Sequence, residues 1–292
     1  MNDINPIFII GTHCSGKSLL ANCLNLIDGL YWWEEPNTIL RMGNLNAKHD
    51  RREPVKMNST VAIRIRNSYA KKQKKLVCDR IVDDSPFHCI NLPFIRSIFP
   101  DSKIIHIFRD PRDVIFDTLK QWREPLYPLT ASTLHFIVKR LKETSVHEWI
   151  PYFIRTCHVF REKLFSKVIP ERRYGVLYPG MRQDVLLLTI EELACRQWQI
   201  CQQYALDDLS ALPQTAYHSF SYESFVNAPL ETFHSIVEFM GLTINEKTSE
   251  FLSNQINRDY IGIGSDMFSK ENGHHLQSLL EPTLSYIDTF LR

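Results

Sequence analysis

Four consecutive apolar residues, Ile7-Phe8-Ile9-Ile10, run straight into Gly11-Thr12-His13-Cys14-Ser15-Gly16-Lys17-Ser18, and the pattern Leu19, Leu20, Cys23, Leu24, Ile27 follows at once. The eight residues of the middle segment satisfy G-x-x-x-x-G-K-[ST]. An Ile- and Phe-rich run of this length reads as a buried strand, and apolar spacings of three and four read as an amphipathic helix. The chain must therefore pass from strand to helix through one tight loop. Glycines at 11 and 16 let backbone N–H groups of that loop converge, and the first helical turn adds donors that have no partner inside the helix. With the Lys17 ammonium and the Ser15 and Ser18 hydroxyls they form a cradle for an anion. A plain glycine turn would account for Gly11 and Gly16 but leaves Lys17-Ser18 without a reason.

The rest of the chain repeats the strand-then-helix alternation. Leu76-Val77-Cys78, ending at Asp79, and Lys103 to Phe108, leading into Arg109-Asp110-Pro111, read as further buried parallel strands. Asn58 to Lys75 and Pro86 to Phe99 read as crossover helices. The fold class expected is α/β, a P-loop-type central parallel sheet flanked by helices, with helical insertions. Leu129 to about Val168 reads as helical and aromatic. Ile169 to Leu188, with Pro170, Gly175, Pro179 and Gly180, reads as a long loop. A helix over Thr189 to Tyr204, a strand over Ala216 to Phe220, and helices near Leu230 to Met240 and Ser269 to Leu291 complete the pattern. Without repeats or a low-complexity linker, residues 1–292 read as one domain with a helical insertion over about 124–210.

Charge and composition narrow the function classes. Lys plus Arg number 34 and Asp plus Glu 33, so no global field draws the chain to nucleic acid or acidic membrane, and an anion site must be local. The run Lys71-Lys72-Gln73-Lys74-Lys75 falls where a crossover helix should end and suits a solvated carboxyl terminus. Met1 to Pro6 lacks a basic start, Ile7 to Ile10 is too short for a signal-peptide core, and no stretch reaches the roughly 20 apolar residues of a membrane helix. A soluble, cytoplasmic protein is expected. Its 7 cysteines have no C-x-x-C pair and no zinc-ligand spacing, so reduced thiols and no bound metal are expected.

A second anchor follows the Lys103 to Phe108 strand. In Arg109-Asp110-Pro111-Arg112-Asp113-Val114, Asp110 suits an N-cap, Pro111 the first helical position and Asp113 an acidic first turn. Capping leaves Arg109 unexplained, and its planar fork suits a phosphate. Here the chain resembles the sulfotransferase family, which moves a sulfuryl group from 3′-phosphoadenosine-5′-phosphosulfate (PAPS) to a hydroxyl or amine. The resemblance rests on PIFIIGTHCSGKSLL, EEPNTIL from Glu34, FPDSKIIHIFRDPRDV from Phe99, and YPGM from Tyr178. It continues through ELACRQW from Glu192 and SYESFVNAPLETFHSIVEFMGL from Ser221.

The resemblance implies that His13, Cys14, Ser15, Gly16, Lys17 and Ser18 hold the 5′-phosphosulfate, that Arg109 holds the 3′-phosphate and that Tyr222 lies near the adenine. It also exposes departures. Family members usually carry Arg or Lys where this chain has Cys14 and Thr where it has Lys17, so the positive charge has moved by three residues. Many relatives place a Lys where Asp84 precedes Ser85-Pro86. Asp117 stands where the family has a serine that donates to the 3′-phosphate. A carboxylate ~4 Å from a phosphate costs about 4 kcal/mol per charge pair at an effective dielectric near 20, which outweighs a neutral hydrogen bond. Asp117 is therefore expected to turn toward Lys120 or Gln121, leaving Thr118 as the donor.

Sulfuryl transfer needs an in-line acceptor hydroxyl, donors on the leaving phosphate and a base, and demands no metal. Lys17 and Ser18 with the loop amides would serve the leaving side. Glu35, after Trp32-Trp33-Glu34, is the expected base, at the position where protein-tyrosine sulfotransferases carry their catalytic glutamate; a solvent-facing glutamate is the alternative, and His13 is a second candidate. Two other functions fit the loop. G-x-x-x-x-G-K-S is also the signature of ATP-dependent kinases, with Asp79 as a Walker-B-like magnesium ligand, and the altered positions would suit a non-catalytic binding protein of the same fold.

Overall fold

The computed structural model describes residues 4–34, 36–44, 47–123, 175–269 and 273–290. Its centre is a five-stranded sheet built from β1 (Ile7–Ile10), β2 (Leu30–Trp32), β3 (Arg80–Asp83), β4 (Lys103–Phe108) and β5 (Tyr217–Ser221). The strand order is β2-β3-β1-β4-β5, and every neighbouring pair is parallel.

Strand alternation explains the layers. Phe8, Ile10 and Ile104 point to one face, where Ala62, Ile65 and Tyr69 of α3 (Thr60–Leu76) and Phe94, Ile95 and Ile98 of α4 (Leu92–Ile98) cover them; the short α2 (Asn37–Leu40) packs alongside. Ile7, Ile9, Ile105 and Ile107 point to the other, beneath Leu20 and Leu24 of α1 (Lys17–Leu24). A third cluster joins Ile115 and Trp122 of α5 (Pro111–Arg123), Leu193 and Trp198 of α7 (Ile190–Ser210), and Leu280 and Ile287 of α12 (Gly273–Phe290). The remaining elements are α6 (Met181–Leu187), α8 (Tyr222–Asn227), α9 (Pro229–Phe239), α10 (Glu246–Gln255) and α11 (Ser265–Phe268). Burying both faces of β1 is what makes its sequence uniformly apolar.

Two expectations need correction. The run Leu76-Val77-Cys78 is not a strand: Leu76 ends α3, and Val77, 92% exposed, is its left-handed C-cap with φ 53°. The strand is Arg80–Asp83, whose Ile81 and Val82 reach the core. Helical periodicity through Ala62, Ile65 and Tyr69 runs on to Leu76, the first residue of the apolar triplet, and leaves Val77 as the cap. The expected loop over Ile169 to Leu188 contains α6, whose Met181 is buried against the third cluster. The edge strand β2 was not expected as such. It pairs Leu30 with Arg80 and Trp32 with Val82. The lysine run does close α3, with Lys74 and Lys75 in its last turn and Lys72 over the Trp33 ring at 5.0 Å.

Candidate functional site

Because all five strands run the same way, the segments that leave their carboxyl ends gather on one edge, where ligands of open α/β sheets bind. Four of them supply the site: the loop after β1, Asp84 after β3, Arg109 after β4 and Tyr222 after β5. Between the loop, Arg109 and Tyr222, with Asp84 behind Ser18, lies a cavity of about 630 Å³, closed on its far side by Gln255 at the end of α10 and by Asn257 and Tyr260 beyond it.

The loop is shaped as an anion cradle. Cys14 at φ 57° and Gly16 at φ 93° are both left-handed and flank Ser15, which turns successive N–H groups inward. Gly16 is required twice over, since a Cβ there would also lie 2.5 Å from Cδ2 of Tyr222. α1 then starts with no side-chain cap and no acidic residue in its first turn, so its leading N–H groups face the cavity unpaired by protein side chains. The Ser15 Oγ and Thr12 Oγ1 are buried without a hydrogen-bond partner among the described residues. Lys17, only 7% exposed, folds its ammonium back to donate to the Thr12 carbonyl at 2.5 Å, which keeps its charge over the loop. An orphaned hydroxyl beside uncapped amides and a buried cation fits an anionic phospho or sulfo group.

Two carboxylates sit where the sequence pattern raised questions. Asp84, 1% exposed, accepts from Ser18 Oγ at 2.9 Å and from the Trp32 indole Nε1 at 2.9 Å, so the Ser18 proton points at Asp84. Asp117 does not turn to Lys120 or Gln121 as expected: it pairs with Arg109, Oδ2 to Nη1 at 2.8 Å. The guanidinium is a strong attractor at that range, and it lies one element away in space although eight residues away in sequence.

Arg109 is held on every side. Nη1 also donates to the Cys14 carbonyl at 2.8 Å and Nη2 to the Tyr260 carbonyl at 2.6 Å, and the guanidinium stacks 4.8 Å from the Tyr222 ring centroid. Burial, chiefly, pushes the Tyr222 phenol above its ordinary value. The frame behind it is equally built. Asp110 accepts from the Arg112 N–H at 2.8 Å and donates its own to Glu223 Oε1 at 2.9 Å, joining the ends of β4 and β5. Asp113 accepts from the N–H groups of Gly262 and Gly264 at 2.8 and 2.9 Å, pinning the segment that carries Tyr260.

His13 and Cys14 form a pair. Burial alone would lower the imidazole's pKa and raise the thiol's, but their mutual attraction wins, so His13 rises and Cys14 falls. Gln121 bridges both, its Oε1 accepting from His13 Nε2 at 2.7 Å and its Nε2 donating to Cys14 Sγ at 3.3 Å. Glu35 lies outside the described residues; its neighbours Trp32 and Trp33 stand on the same edge. Asp79 stands at the opposite, amino end of β3, its N–H on the Gly29 carbonyl at 2.7 Å, which removes it as a Walker-B-like ligand. Among the described residues no group of three or more His, Cys, Asp or Glu is placed to hold a metal, and no helix is long and apolar enough to cross a membrane. The six described cysteines are free thiols. Gln121, Gln255, Asn257 and Tyr260 were not expected at the site; no motif marks them, and only Gln121's place on the face of α5 shared by Asp117 signals one of them.

A model described as the sulfotransferase family matches residues 6–174. The fold is shared with the sulfotransferase domain of the Synechococcus PCC 7002 olefin synthase, at 18% identity and TM-score 0.53 over 100% of this chain and 97% of that one. It is also shared with the sulfotransferase domain from the curacin biosynthetic pathway, at 15% identity and TM-score 0.52 over 89% of this chain and 80% of that one. Mouse sulfotransferase SULT7A1 complexed with PAP is similar at 12% identity and TM-score 0.51, over 98% of this chain and 86% of that one. No curated protein matches the chain.

Proposed function

The chain belongs to the sulfotransferase family and is a sulfotransferase, and we propose that it moves the sulfuryl group of 3′-phosphoadenosine-5′-phosphosulfate (PAPS) to an acceptor bearing a hydroxyl or an amine. The observation that carries this reading is the uncapped start of α1 with the partnerless Ser15 Oγ and the buried Lys17, opening on the same cavity as Arg109 and Tyr222.

In this reading the 5′-phosphosulfate lies across the loop amides, with Ser15 donating its hydroxyl and Lys17 neutralising charge that grows on the bridging oxygen. The adenosine end extends past Tyr222 toward Asn257 and Tyr260. The acceptor oxygen attacks sulfur in line, an O–S bond forms, the bridging S–O bond breaks and its electron pair goes to the 5′-phosphate. The acceptor proton goes to a base. Glu35, three residues after the end of β2 in the sequence, is our candidate, and His13, which lines the cavity and whose pKa, against the effect of burial, is raised by Cys14, is the second. Ser18 has its hydroxyl proton committed to Asp84, so it serves the leaving phosphate only if that contact opens.

The Ser18–Asp84 pair has the residue types, a loop serine and a strand-end aspartate, that hold magnesium in nucleoside triphosphate enzymes, so the test of the sulfuryl-transfer reading includes an ATP arm. Purified protein is incubated with host extract and either sulfur-labelled nucleotide phosphosulfates or γ-labelled ATP with magnesium. Label on an acceptor from a phosphosulfate is the expected result; transfer from ATP alone would overturn the sulfuryl-transfer reading.

A further inference from the structure

We propose that Asp117 is a positioning residue for Arg109, holding the guanidinium so that its Nε–Nη2 edge is the one offered to the 3′-phosphate of the donor nucleotide; this rests on the sulfuryl-transfer reading above. A guanidinium has five N–H groups, and it grips a phosphate by presenting two of them in parallel, either from its Nη1–Nη2 end or from its Nε–Nη2 side. In Arg109 the end is closed. Both Nη1 hydrogens are taken, by the Cys14 carbonyl at 2.8 Å and by Asp117 Oδ2 at 2.8 Å, and one Nη2 hydrogen is taken by the Tyr260 carbonyl at 2.6 Å. The side is open. Nε is buried with no partner among the described residues, beside an Nη2 that has one acceptor there. An unpartnered donor on a cation 4% exposed, in a cavity wall, points to a ligand that supplies the acceptor.

A serine in this place could touch the phosphate itself, whereas a carboxylate has no proton to donate. What Asp117 supplies is orientation. Tyr222, with its ring centroid 4.8 Å from the guanidinium, sets the plane by stacking but leaves rotation within that plane free. Acceptors at the Nη1 corner remove that freedom. Asp117 from α5 and the Cys14 carbonyl from the loop draw both Nη1 hydrogens to one side, and the Nε–Nη2 edge then faces the other.

Charge is compatible with this arrangement. Carboxylate and phosphate meet opposite sides of the guanidinium, so each attraction acts at hydrogen-bond range while their mutual repulsion acts across the width of the cation. That intervening charge offsets the penalty expected from the sequence for a carboxylate next to the 3′-phosphate. Asp117 also pairs the buried cation before the nucleotide arrives, which an isolated guanidinium in this position would need. The other two acceptors are fixed by the backbone. Asp113 holds the Gly262 and Gly264 amides at 2.8 and 2.9 Å and with them the segment of Tyr260, and the Cys14 carbonyl belongs to a residue locked at φ 57°. Asp117 is the acceptor that a substitution can remove.

The test is calorimetric titration of the full chain with adenosine 3′,5′-bisphosphate and with 5′-AMP, which differ only in the 3′-phosphate. The ratio of the two dissociation constants isolates that group and does not depend on how much of a variant is folded. Wild type is expected to prefer the bisphosphate by about thirtyfold. In Asp117→Ala the preference is expected to fall by about tenfold, through weaker binding of the bisphosphate, with 5′-AMP affinity changed by less than about threefold. Asp117→Asn, whose amide oxygen still accepts from Nη1, should keep the preference within about threefold of wild type, a rescue that a loss of charge alone does not allow. Arg109→Ala should lose the preference as well, and adding Asp117→Ala to it should cost nothing further, because Asp117 acts through Arg109. An unchanged or larger preference in Asp117→Ala, or no preference in wild type, would overturn the proposal and leave the sulfuryl-transfer reading standing. Binding of neither nucleotide, with ATP and magnesium bound, would overturn both.

Discussion

Ser18 Oγ donates to Asp84 Oδ2 across 2.9 Å, while the Trp32 indole donates to the other oxygen of the same carboxylate. One buried side chain thereby joins the start of α1 to the ends of β2 and β3, at the edge where the anion cradle opens. The carboxylate is both a brace and a negative charge next to an anion site, and those two roles can be separated.

Asp84→Asn removes the charge and keeps the shape. We expect adenosine 3′,5′-bisphosphate to bind about three- to tenfold more tightly, because repulsion of its 5′-phosphate is relieved. Stability should fall by about 1 kcal/mol, since the amide oxygen still accepts from the Trp32 indole and its N–H can donate to the Ser18 hydroxyl, and only the charge assistance of the two bonds is lost. Urea unfolding and calorimetry read the two effects. Weaker binding would mean that Asp84 assists the ligand, as a magnesium site requires.

Gly16→Ala tests the cradle. The residue sits at φ 93° with the Tyr222 ring 2.5 Å from the added Cβ, and both the backbone and the ring must shift. The expected outcome is loss of nucleotide-induced thermal stabilisation, with intrinsic stability lower by about 1–3 kcal/mol. Retained stabilisation would place the anion elsewhere.

Acid should unfold the protein in a window set by two buried groups. His106 lies wholly inside β4, and burial brings its pKa down to about 4. The unfolded chain therefore takes up a proton near the ordinary histidine value while the folded chain does not. Stability is full above that value and drains as pH falls toward 4, by about 2–3 kcal/mol between pH 7 and 4.5. Asp83 acts lower. Burial would raise its pKa, but His88 at 2.9 Å, the Tyr69 hydroxyl and the Ser85 amide bring it below the ordinary aspartate value. Its contribution is present above that ordinary value and is lost as pH falls through the depressed one. His106→Leu should flatten the limb between pH 6.5 and 4.5 in urea midpoints and spare the lower one. An unchanged upper limb would exclude His106 as its source.

Cys14 should be alkylated by iodoacetamide at a lower pH than an ordinary thiol, because His13 overcomes the effect of burial and lowers its pKa. Nucleotide should slow the reaction by at least tenfold, since Cys14 lines the cavity. In His13→Ala the rate profile should shift toward ordinary thiol values. Equal rates with and without nucleotide would mean the ligand does not cover the loop.

Much of the fold was legible where the signal is local. Ile7 to Phe8 to Ile10 and Lys103 to Phe108 carry their burial in their own composition, and both are the strands expected. Leu76 to Cys78 failed because an apolar triplet at the end of a long amphipathic helix is ambiguous until the register of that helix is known. Arg109 stood out because no capping role accounted for it. Gln255, Asn257 and Tyr260 did not stand out, because a cavity wall built from a helix end and the irregular segment after it has no periodicity to betray it.

What the sequence determined alone is the strand–loop–helix cradle of Gly11 to Ser18 and the family resemblance. These rest on contacts between residues a few positions apart, where backbone sterics and helix-end donors leave little choice. The state of Arg109 was decided only in three dimensions. Its guanidinium is committed by a carbonyl 95 positions earlier at Cys14, another 151 positions later at Tyr260, and a carboxylate on the next helix. A side chain with several rotamers and five donors goes where buried acceptors converge, and that convergence exists only once β1, β4 and the segment after α10 have packed together.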